Sequence, residues 1–366
     1  MEAKPKRRLP LVLRLLITIV LAVILLAAAL IAYLTAVEFR PDAEQPAETV
    51  AARGADLESA VPATPYTLLS FNTGYAGLGE ESDFFMDGGK QTAPRDPAIV
   101  EKNLAGIRAI LEAQKCDFLF LQEVDRNAKR SRRIDEAEML ASIGAYSAAF
   151  APNYVCAYVP YPIPDTIGRV ESGLLTLSAI QPAEQTRVAL PVPFSWPLRI
   201  ANLKRCLLVS RVPVADSEKE LVLINLHLEA YDDGAGKIAQ TKQLAELLET
   251  EYEKGNYVIA GGDFNQTFPG IDSVRYAMHD PENWTPGVIE ADMLPSGWKI
   301  LADDRTPTCR LLDRPFDREA PDSMQYYVID GFLCSPNVTV LSLETLDAGF
   351  RYSDHNPVLL QFELQK

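Results

Sequence analysis

The 366-residue sequence has few histidines, few cysteines and a shortage of positive charge. Three histidines in the whole chain leave little from which to build a structural zinc site. The five cysteines are an odd number, are widely spaced and include no CxxC pair, so we interpret them as small buried hydrophobic residues and not as a disulfide framework. A net charge of -15 disfavours a broad basic surface for nucleic acid without excluding it, because a bound divalent cation reverses the field locally.

Residues 15–37 form an uncharged apolar run, and about 20 such residues suffice to cross a bilayer as a helix. Basic residues come before this run and acidic residues follow it: Lys4, Lys6, Arg7, Arg8 and Arg14, then Glu38, Asp42, Glu44 and Glu48. The positive-inside rule therefore predicts a cytoplasmic segment 1–14, a single transmembrane helix 15–37 and an extracytoplasmic remainder at the cell membrane. A cleaved signal peptide is the alternative, although its apolar region is usually about 7 to 15 residues long.

Residues 38–65 are rich in Ala, Pro and Glu, which predicts an extracytoplasmic linker. From Tyr66 onward, short β-rich runs alternate with helical patterns, which predicts one layered domain of α and β structure over 66–366. The predicted strands are 67–72, 118–122, 173–177, 206–212, 221–225, 257–261, 327–333 and 358–362. The clearest helices are 99–114 and 238–254, the second ending before Gly255.

Polar residues recur where these apolar strands begin or end: Asn72, Gln122, Glu123, His227, Asp263, Asn265, Asp330, Asp354 and His355. Because the strand ends of a layered sheet meet at one rim, we expect these side chains to converge. Carboxylates, amides and imidazoles together suit a hard divalent ion and phosphoryl transfer. Any one of them alone has a simpler explanation, since an Asp-Asn pair after Gly-Gly is usually a turn.

Six segments carry a family resemblance: SFN (70–72), LQEV (121–124), NLHL (225–228), GGDFN (261–265), VIDGFL (328–333) and SDHNPV (353–358). In this order and spacing they resemble the endonuclease/exonuclease/phosphatase superfamily of DNase I-like, metal-dependent phosphoesterases. The resemblance covers about residues 66–366. It implies an α/β fold that is a four-layered sandwich, with two packed, mostly antiparallel sheets flanked by helices and the active site at one end.

The resemblance also implies roles for the metal-side residues. Glu123, helped by Asn72 and Asp354, matches the set that binds the metal, for which Mg²⁺ or Mn²⁺ is the expected cofactor. Asp263 matches the group that orients or deprotonates the attacking water, and Asn265 matches the amide that holds the phosphate.

The two histidines inside the motifs match phosphate-side residues. His355 matches the histidine that contacts the scissile phosphate, and Asp330 matches the carboxylate on its other ring nitrogen, which favours the protonated ring. His227 matches a second histidine on the phosphate side, a general acid or a charge stabiliser.

Two further features are candidates for shaping the substrate site. A basic cluster follows Glu123, and we interpret Arg126 and Arg130 within it as a clamp for an anionic group, the alternative being a solvated helix start. The long loop between Asn72 and Pro97 carries aromatic and apolar side chains at 84–86, which either dip into lipid or pack over the core.

Phosphodiester hydrolysis is the predicted reaction, on a lipid headgroup or on extracellular nucleic acid. Hydrolysis of an inositol phosphate monoester is a further alternative. A non-catalytic scaffold of the same fold is disfavoured, because the set of catalytic residue types is intact. The expected partners are the phosphoester substrate and, through the N-terminal helix, the membrane, with a monomer as the default state.

Overall fold

The computed structural model describes residues 10–50, 54–271, 275–276, 278–279 and 282–366. Its first element is helix α1, Leu11–Ala36, whose 26 residues extend to about 39 Å. This helix is long and apolar enough to cross a membrane, and a signal sequence near an N-terminus satisfies the same criteria. It begins before the predicted position 15 and includes Arg14. The basic residues 4–8, on which the predicted orientation also depends, lie outside the described residues.

After α1 the structure contains eighteen strands and three further helices in the described part of the chain. The helices are α2 (Pro97–Gln114), α3 (Glu136–Ala141) and α4 (Ala235–Glu253). The strands are β1 (Glu44–Pro46), β2 (Glu48–Thr49), β3 (Tyr66–Asn72), β4 (Phe118–Asp125), β5 (Ser147–Val159), β6 (Gly168–Ser178), β7 (Glu184–Ala189), β8 (Cys206–Pro213), β9 (Glu220–His227), β10 (Tyr257–Asp263), β11 (Gln266–Thr267), β12 (Gly287–Val288), β13 (Lys299–Leu301), β14 (Cys309–Arg310), β15 (Tyr326–Tyr327), β16 (Asp330–Cys334), β17 (Val338–Thr345) and β18 (Val358–Leu364).

Two seven-stranded sheets form the centre of the fold. The first has the order β1-β7-β8-β9-β10-β16-β13, and the second has the order β17-β18-β3-β4-β6-β5-β2. Within these sheets β3 pairs with β4 in parallel and β9 pairs with β10 in parallel, while the other neighbours are antiparallel. Two small two-stranded sheets, β11-β12 and β14-β15, complete the described pairing.

The alternation of side chains along each strand builds the layers. On β4, Phe118 and Phe120 pack between the two sheets, whereas Leu119 and Leu121 pack in the cluster that α2 and α3 cover. On β9, Leu221 and Leu223 face the other sheet, whereas Val222 and Ile224 join the core under α4. The result is helix, sheet, sheet and helix, so the predicted four-layered sandwich is confirmed.

The interpretation of 38–65 as a simple linker needs correction. β1 adds to the edge of the first sheet beside β7, and β2 adds to the edge of the second sheet beside β5. Ala60 is fully buried and bridges to Val214. Edge pairing uses backbone N–H and C=O groups, which every non-proline residue carries, so a weakly hydrophobic composition did not prevent it.

The C-terminal end of α1 is also attached to the domain. Leu34 is buried in an apolar cluster that contains Tyr154 of β5 and Ile200. Glu38 follows the helix. Its side chain is 2% exposed and lies 3.0, 3.2 and 3.5 Å from Arg40, Arg199 and Lys204. Burial works to raise the pKa of Glu38, but the hydrogen bond from Arg40 and the positive charges around it lower the pKa below its ordinary value.

Most predicted elements are present with shifted bounds. The predicted strand 327–333 is two strands, because β15 belongs to a small sheet and β16 to the first large sheet. The sequence did not indicate the edge strand β17 or the long β5. Gly255 follows α4 in a left-handed conformation, with φ of +87°. All five cysteines are buried and free, as predicted.

Candidate active site

The predicted catalytic residues lie between the two sheets at one end of the sandwich. The strands β3, β9 and β10 end at Asn72, His227 and Asp263. Each of these residues lies on the same face of its strand as the residues that pack against the other sheet. Asn72 Nδ2 donates to Asp263 Oδ2 at 3.0 Å, and His227 Nε2 lies 3.5 Å from the same oxygen. Side chains from β3 of one sheet and β9 of the other therefore meet at the carboxylate of Asp263 on β10.

A β-bulge brings Glu123 into this group. On β4 the register shifts between Leu121 and Val124, and both of these residues pack on the helix-covered face. Gln122 and Glu123 together take the place of one residue, and Glu123 adopts a left-handed φ of +53°. Its Oε1 accepts a hydrogen bond from Asn72 Nδ2 at 3.1 Å. Regular alternation would have pointed Glu123 away from the site.

His355 and Asp330 form a buried pair. His355 Nδ1 lies 2.9 Å from Asp330 Oδ2, and Nε2 lies 3.7 Å from Asp263 Oδ2. Burial disfavours the charged ring, but the negative charge of Asp330 and the other acidic groups raises the pKa of His355 well above its ordinary value. The raised pKa favours the imidazolium form of the ring, and Nε2 is directed at the centre of the site.

His227 has the opposite electrostatic environment. Burial, followed by the positive charge of Arg205 and of His355, holds the pKa of His227 well below its ordinary value. Arg205 is nearby because its Nη1 donates to the backbone carbonyl of His227 at 3.1 Å. His227 Nδ1 is buried and has no hydrogen-bond partner in the described part of the chain. A neutral ring with an unsatisfied nitrogen suits contact with a bound ligand.

Asp263 and Asn265 are held by a tight turn after β10. Asp263 Oδ1 accepts the backbone N–H of Asn265 at 2.8 Å, and Asn265 Nδ2 donates to the carbonyl of Leu228 at 2.9 Å. Burial and the adjacent Asp330 raise the pKa of Asp263 to about 7. Gly262 precedes them with φ of +147°, and a Cβ there would lie 2.0 Å from the carbonyl oxygen of Leu226. Only glycine permits this approach of the strands.

A cluster of buried acids lies beside Glu123. Burial, opposed by His355 and reinforced by Glu123, raises the pKa of Asp354 to about 6. Burial also raises the pKa of Asp87 to about 7. The negative charges of Asp354 and Glu123 add to this increase, whereas a hydrogen bond from Tyr231 works to lower the pKa. Like charges that are buried together favour a bound cation, and their oxygen atoms are the ligands that hard divalent ions prefer. The residues present therefore fit a divalent metal.

Several side chains in the site offer ligand atoms for a metal. Two groups have ligand atoms within 4.8 Å of one another, Asp263, Asp330 and His355 in one and Cys309, Asp354 and His355 in the other. Glu123, Asp354 and Asn72 also offer carboxylate and amide oxygens, which hard divalent ions prefer as ligands. Asn72 Oδ1 accepts the N–H of Gly74 at 3.0 Å.

The site opens into a cleft of about 140 Å³. Its lining includes seven of the predicted residues, namely Glu123, Arg130, His227, Asp263, Asn265, Asp354 and His355. Asn72 and Asp330 lie behind them, as their contacts with Asp263 and His355 show.

The two arginines of the predicted clamp occupy different places. Arg130 lines the cleft, with a two-point ion pair to Asp125 at 3.0 Å and its guanidinium 3.7 Å from the ring centre of Tyr75. Arg126 is not among the described residues that line the cleft. It pairs with Glu48 of β2 at 2.5 Å and lies over Phe150. The interpretation of Arg126 as part of the clamp is corrected, because an edge strand supplies its carboxylate partner.

Several cleft residues were not predicted. Arg205 pairs with Glu229 at 3.4 Å, Tyr231 donates to Asp87 at 2.9 Å, and Arg310 contributes a buried Nε without a partner in the described part of the chain. Each lies outside the recognised motifs, and no local pattern distinguished it from an ordinary surface residue. The third histidine, His279, is exposed, as predicted.

Comparison with known proteins agrees with this architecture. The sequence profile described as "Endonuclease/Exonuclease/phosphatase family" matches residues 69–355. Among solved structures, an endonuclease/exonuclease/phosphatase from Beutenbergia cavernae is similar at 18% identity and a TM-score of 0.55, covering 82% of this chain and 72% of that one. ANGEL2, a 2',3'-cyclic phosphatase solved with adenosine-2',3'-vanadate, is similar at 13% identity and a TM-score of 0.51, covering 90% and 100%.

Comparison with curated proteins gives no match. The two structural similarities show the fold, and the profile match extends from β3 to His355, across the whole set of predicted catalytic residues. Members of this family are hydrolases that act on phosphoester bonds. The chain therefore belongs to the endonuclease/exonuclease/phosphatase family.

Proposed function

We propose that this chain hydrolyses a phosphodiester by in-line attack of water at a divalent-metal site, with its catalytic domain held outside the cell membrane by α1. The supporting observation is the convergence of His355, His227 and Asn72 on Asp263, beside one cleft. Two imidazoles of opposite pKa shift and a carboxylate of raised pKa can stabilise charge and move protons around a phosphate.

The metal is Mg²⁺, with Mn²⁺ as an equivalent, and Glu123, Asp354 and Asn72 would hold it. Such an ion supplies positive charge to the phosphate oxygens and activates water. Asn72 also contacts Asp263, at 3.0 Å. This contact links the metal-binding residues to the water-activating carboxylate.

The remaining residues orient the phosphate and handle protons. Asp263 accepts a proton from the attacking water, for which a pKa of about 7 is suitable. His355 stabilises charge on the phosphoryl oxygens through Nε2, and Asp330 keeps that ring charged and fixed. His227 and Asn265 contact the phosphate from the other side, with His227 next to the leaving oxygen.

A lipid headgroup is the favoured substrate class. The cleft walls include apolar and aromatic side chains such as Phe84, Tyr231 and Trp284, and the chain begins with a helix of membrane-spanning length. The net charge of -15 disfavours a long polyanion. A 2',3'-cyclic phosphodiester belongs among the alternatives, since ANGEL2 has a similar fold.

The test is an assay of the full chain in detergent micelles with bis-p-nitrophenyl phosphate and Mg²⁺ or Mn²⁺. We expect turnover that depends on the metal and is lost in His355→Ala. A panel of sphingomyelin, phosphatidylcholine, plasmid DNA, RNA, a 2',3'-cyclic nucleotide and inositol phosphates then identifies the substrate class. A folded preparation with no turnover on any substrate would leave only the non-catalytic scaffold.

A further inference from the structure

Four strongly exposed apolar side chains lie in two loops beside the end of α1. Tyr161 and Ile163, in the loop between β5 and β6, are 63% and 83% exposed. Trp196 and Leu198, in the segment between β7 and β8, are 55% and 65% exposed. We refer to these four residues as the apolar collar. Exposed apolar side chains grouped in this way mark a surface that contacts an apolar partner.

The collar is attached to the last turn of α1. Trp196 Nε1 donates a hydrogen bond to Thr35 Oγ1 at 3.2 Å. The turn that begins at Leu198 contains Ile200, which is buried in the same cluster as Leu34. On the other loop, the Tyr161 ring packs at 5.5 Å from Phe85, which is part of that cluster. Both halves of the collar therefore flank the C-terminal end of α1.

The length of α1 gives the depth of the collar. With a rise of about 1.5 Å per residue and a hydrocarbon core of about 30 Å, about 20 residues cross the core. If the charged Arg14 marks the inner boundary, the outer boundary falls at Leu34, the residue of α1 that is buried against the domain. Trp196 and Tyr161 then lie at the level of the outer headgroups, where Trp and Tyr are enriched in membrane proteins.

The charges around the collar are compatible with this position. Residues 190–201 contain no acidic residue, and Arg199 is their one charged residue. Asp165, in the other loop, pairs with Lys129 at 3.4 Å and accepts a hydrogen bond from Thr92. Glu38 is paired with three basic side chains. Contact with a bilayer would therefore leave none of these carboxylates without a partner.

The cleft shares its wall with this surface. Ile167, Tyr154 and Leu203 line the cleft and also belong to the apolar cluster that holds Leu34. Met86, which is 43% exposed, lies in the cleft wall beside Phe85. The catalytic cleft and the helix attachment are thus two sides of one apolar cluster.

We infer that the apolar collar inserts into the outer leaflet around α1, so that the cleft opens at headgroup level and takes the phosphodiester of a membrane lipid. This inference rests on the proposed function and names the substrate class of the same site. A second copy of the chain is the other possible occupant of the collar, and the first experiment below distinguishes the two.

The first experiment measures the fluorescence of Trp196. The chain has three tryptophans, so the contribution of Trp196 is obtained by comparison with a variant that lacks it. The full chain is placed one copy per phosphatidylcholine nanodisc, with or without bromine on the acyl chains, and tryptophan quenching is compared with that of Trp196→Phe. We expect bromine to remove about a quarter or more of the wild-type fluorescence and less than about a tenth of that of the variant. Equal fractional quenching in the two proteins overturns the inference and leaves a second copy, which the one-copy nanodisc excludes, as the remaining occupant of the collar.

The second experiment uses a double variant that carries both Ile163→Ser and Leu198→Ser. Its control is Leu341→Ser, at a 46% exposed position on β17. We expect hydrolysis of sphingomyelin or phosphatidylcholine in nanodiscs to fall about 5-fold or more in the double variant alone. Hydrolysis of soluble bis-p-nitrophenyl phosphate stays unchanged in both.

The controls separate this inference from the proposed function. Equal lipid hydrolysis in the double variant and the wild type contradicts the collar. Wild-type turnover of bis-p-nitrophenyl phosphate without hydrolysis of either lipid contradicts the substrate class. If the wild type does not hydrolyse bis-p-nitrophenyl phosphate at all, the proposed function is contradicted. The quenching experiment still decides whether the collar contacts the membrane.

Discussion

Among the acidic groups around His355, the carboxylate of Asp330 contributes most to the raised pKa of the imidazole. Asp330 contacts Nδ1 of the ring, whereas Asp263 faces Nε2, and Asp330 is itself almost fully buried. Its backbone N–H donates a hydrogen bond to Thr308 Oγ1 at 3.1 Å, so the residue is fixed at the start of β16. Asp330 is therefore a positioning residue that acts through His355.

We predict that Asp330→Asn lowers kcat on the order of 10²-fold, because the amide keeps the shape and loses the charge that favours the imidazolium. The pKa of His355, which Asp330 helps to raise, should fall. Activity that requires the protonated ring is lost as pH rises through that pKa, so the alkaline limb of the kcat profile should move to lower pH. The double variant with His355→Ala should be no slower than His355→Ala alone; an unmoved pH profile would show that Asp330 is only structural.

Glu123 offers a separate test of the metal site. We predict that Glu123→Gln raises the Mn²⁺ concentration for half-maximal activity on the order of 10- to 100-fold, because the acid cluster loses a charged oxygen ligand. Added Mn²⁺ should raise the melting temperature of the wild type and raise that of the variant much less. Glu171→Gln, on the neighbouring strand β6 and paired with Arg169, is the matched control. Equal Mn²⁺-induced shifts in all three proteins would contradict the assignment of Glu123 as a ligand.

At the scale of elements, α4 is fixed to the first sheet by a partly buried ion pair. Glu251, near the end of α4, accepts hydrogen bonds from Arg211 of β8 at 2.8 and 2.9 Å, and further hydrogen bonds from Lys254 and Asn256. Burial works to raise the pKa of Glu251, but these hydrogen bonds outweigh it and lower the pKa to about 2. The helix carries the apolar residues that cover the sheet, so this pair connects two layers.

The depressed pKa sets a pH window for stability. A folded pKa of about 2 against an ordinary 4.5 means that the stabilisation is complete above pH 4.5 and is lost as pH falls toward 2. We predict that Glu251→Gln lowers the free energy of unfolding by about 2 kcal/mol at pH 7. The difference from wild type should vanish near pH 2, as measured by urea unfolding in both buffers. Glu249→Gln, on the exposed side of α4, should match the wild type throughout.

At the scale of the whole molecule, the segment after α1 connects this helix to both sheets. A single residue, Ala47, separates β1 from β2, yet the two strands pair with edge strands of different sheets. The same segment brings Glu48 to Arg126 and Glu38 to Lys204. The distance between α1 and the cleft is consequently set by folded structure and not by a loose spacer.

A truncation series tests this organisation. We predict that a fragment of residues 60–366 melts about 5 °C or more below a fragment of residues 38–366, because it loses the two edge strands and the ion pairs of Glu38. Differential scanning calorimetry in the same buffer measures the difference. Glu48→Gln within the longer fragment isolates the Arg126 contact and should account for a minor part of it. Identical melting temperatures for the two fragments would show that residues 38–59 do not stabilise the domain.

The sequence by itself determined the fold and the family, because those depend on patterns that are local in the chain. Alternating apolar residues set the strands, helical periodicity set α2 and α4, and polar residues at strand ends fell within recognisable motifs. The expected convergence also had a local basis, since the alternation that buries Leu68 and Leu223 continues to Asn72 and His227 on the same faces.

Only the tertiary structure decided which additional groups share the cleft and how they are charged. The bulge that turns Glu123 inward, the approach of Asp87 and Arg205, and the diversion of Arg126 to Glu48 depend on contacts between distant segments. The pairing of β1 and β2 with the sheet edges depends on backbone groups that all sequences share. Residue type reveals what a side chain can do, whereas its neighbours and its burial fix its direction and its protonation state, and these arise when the layers pack.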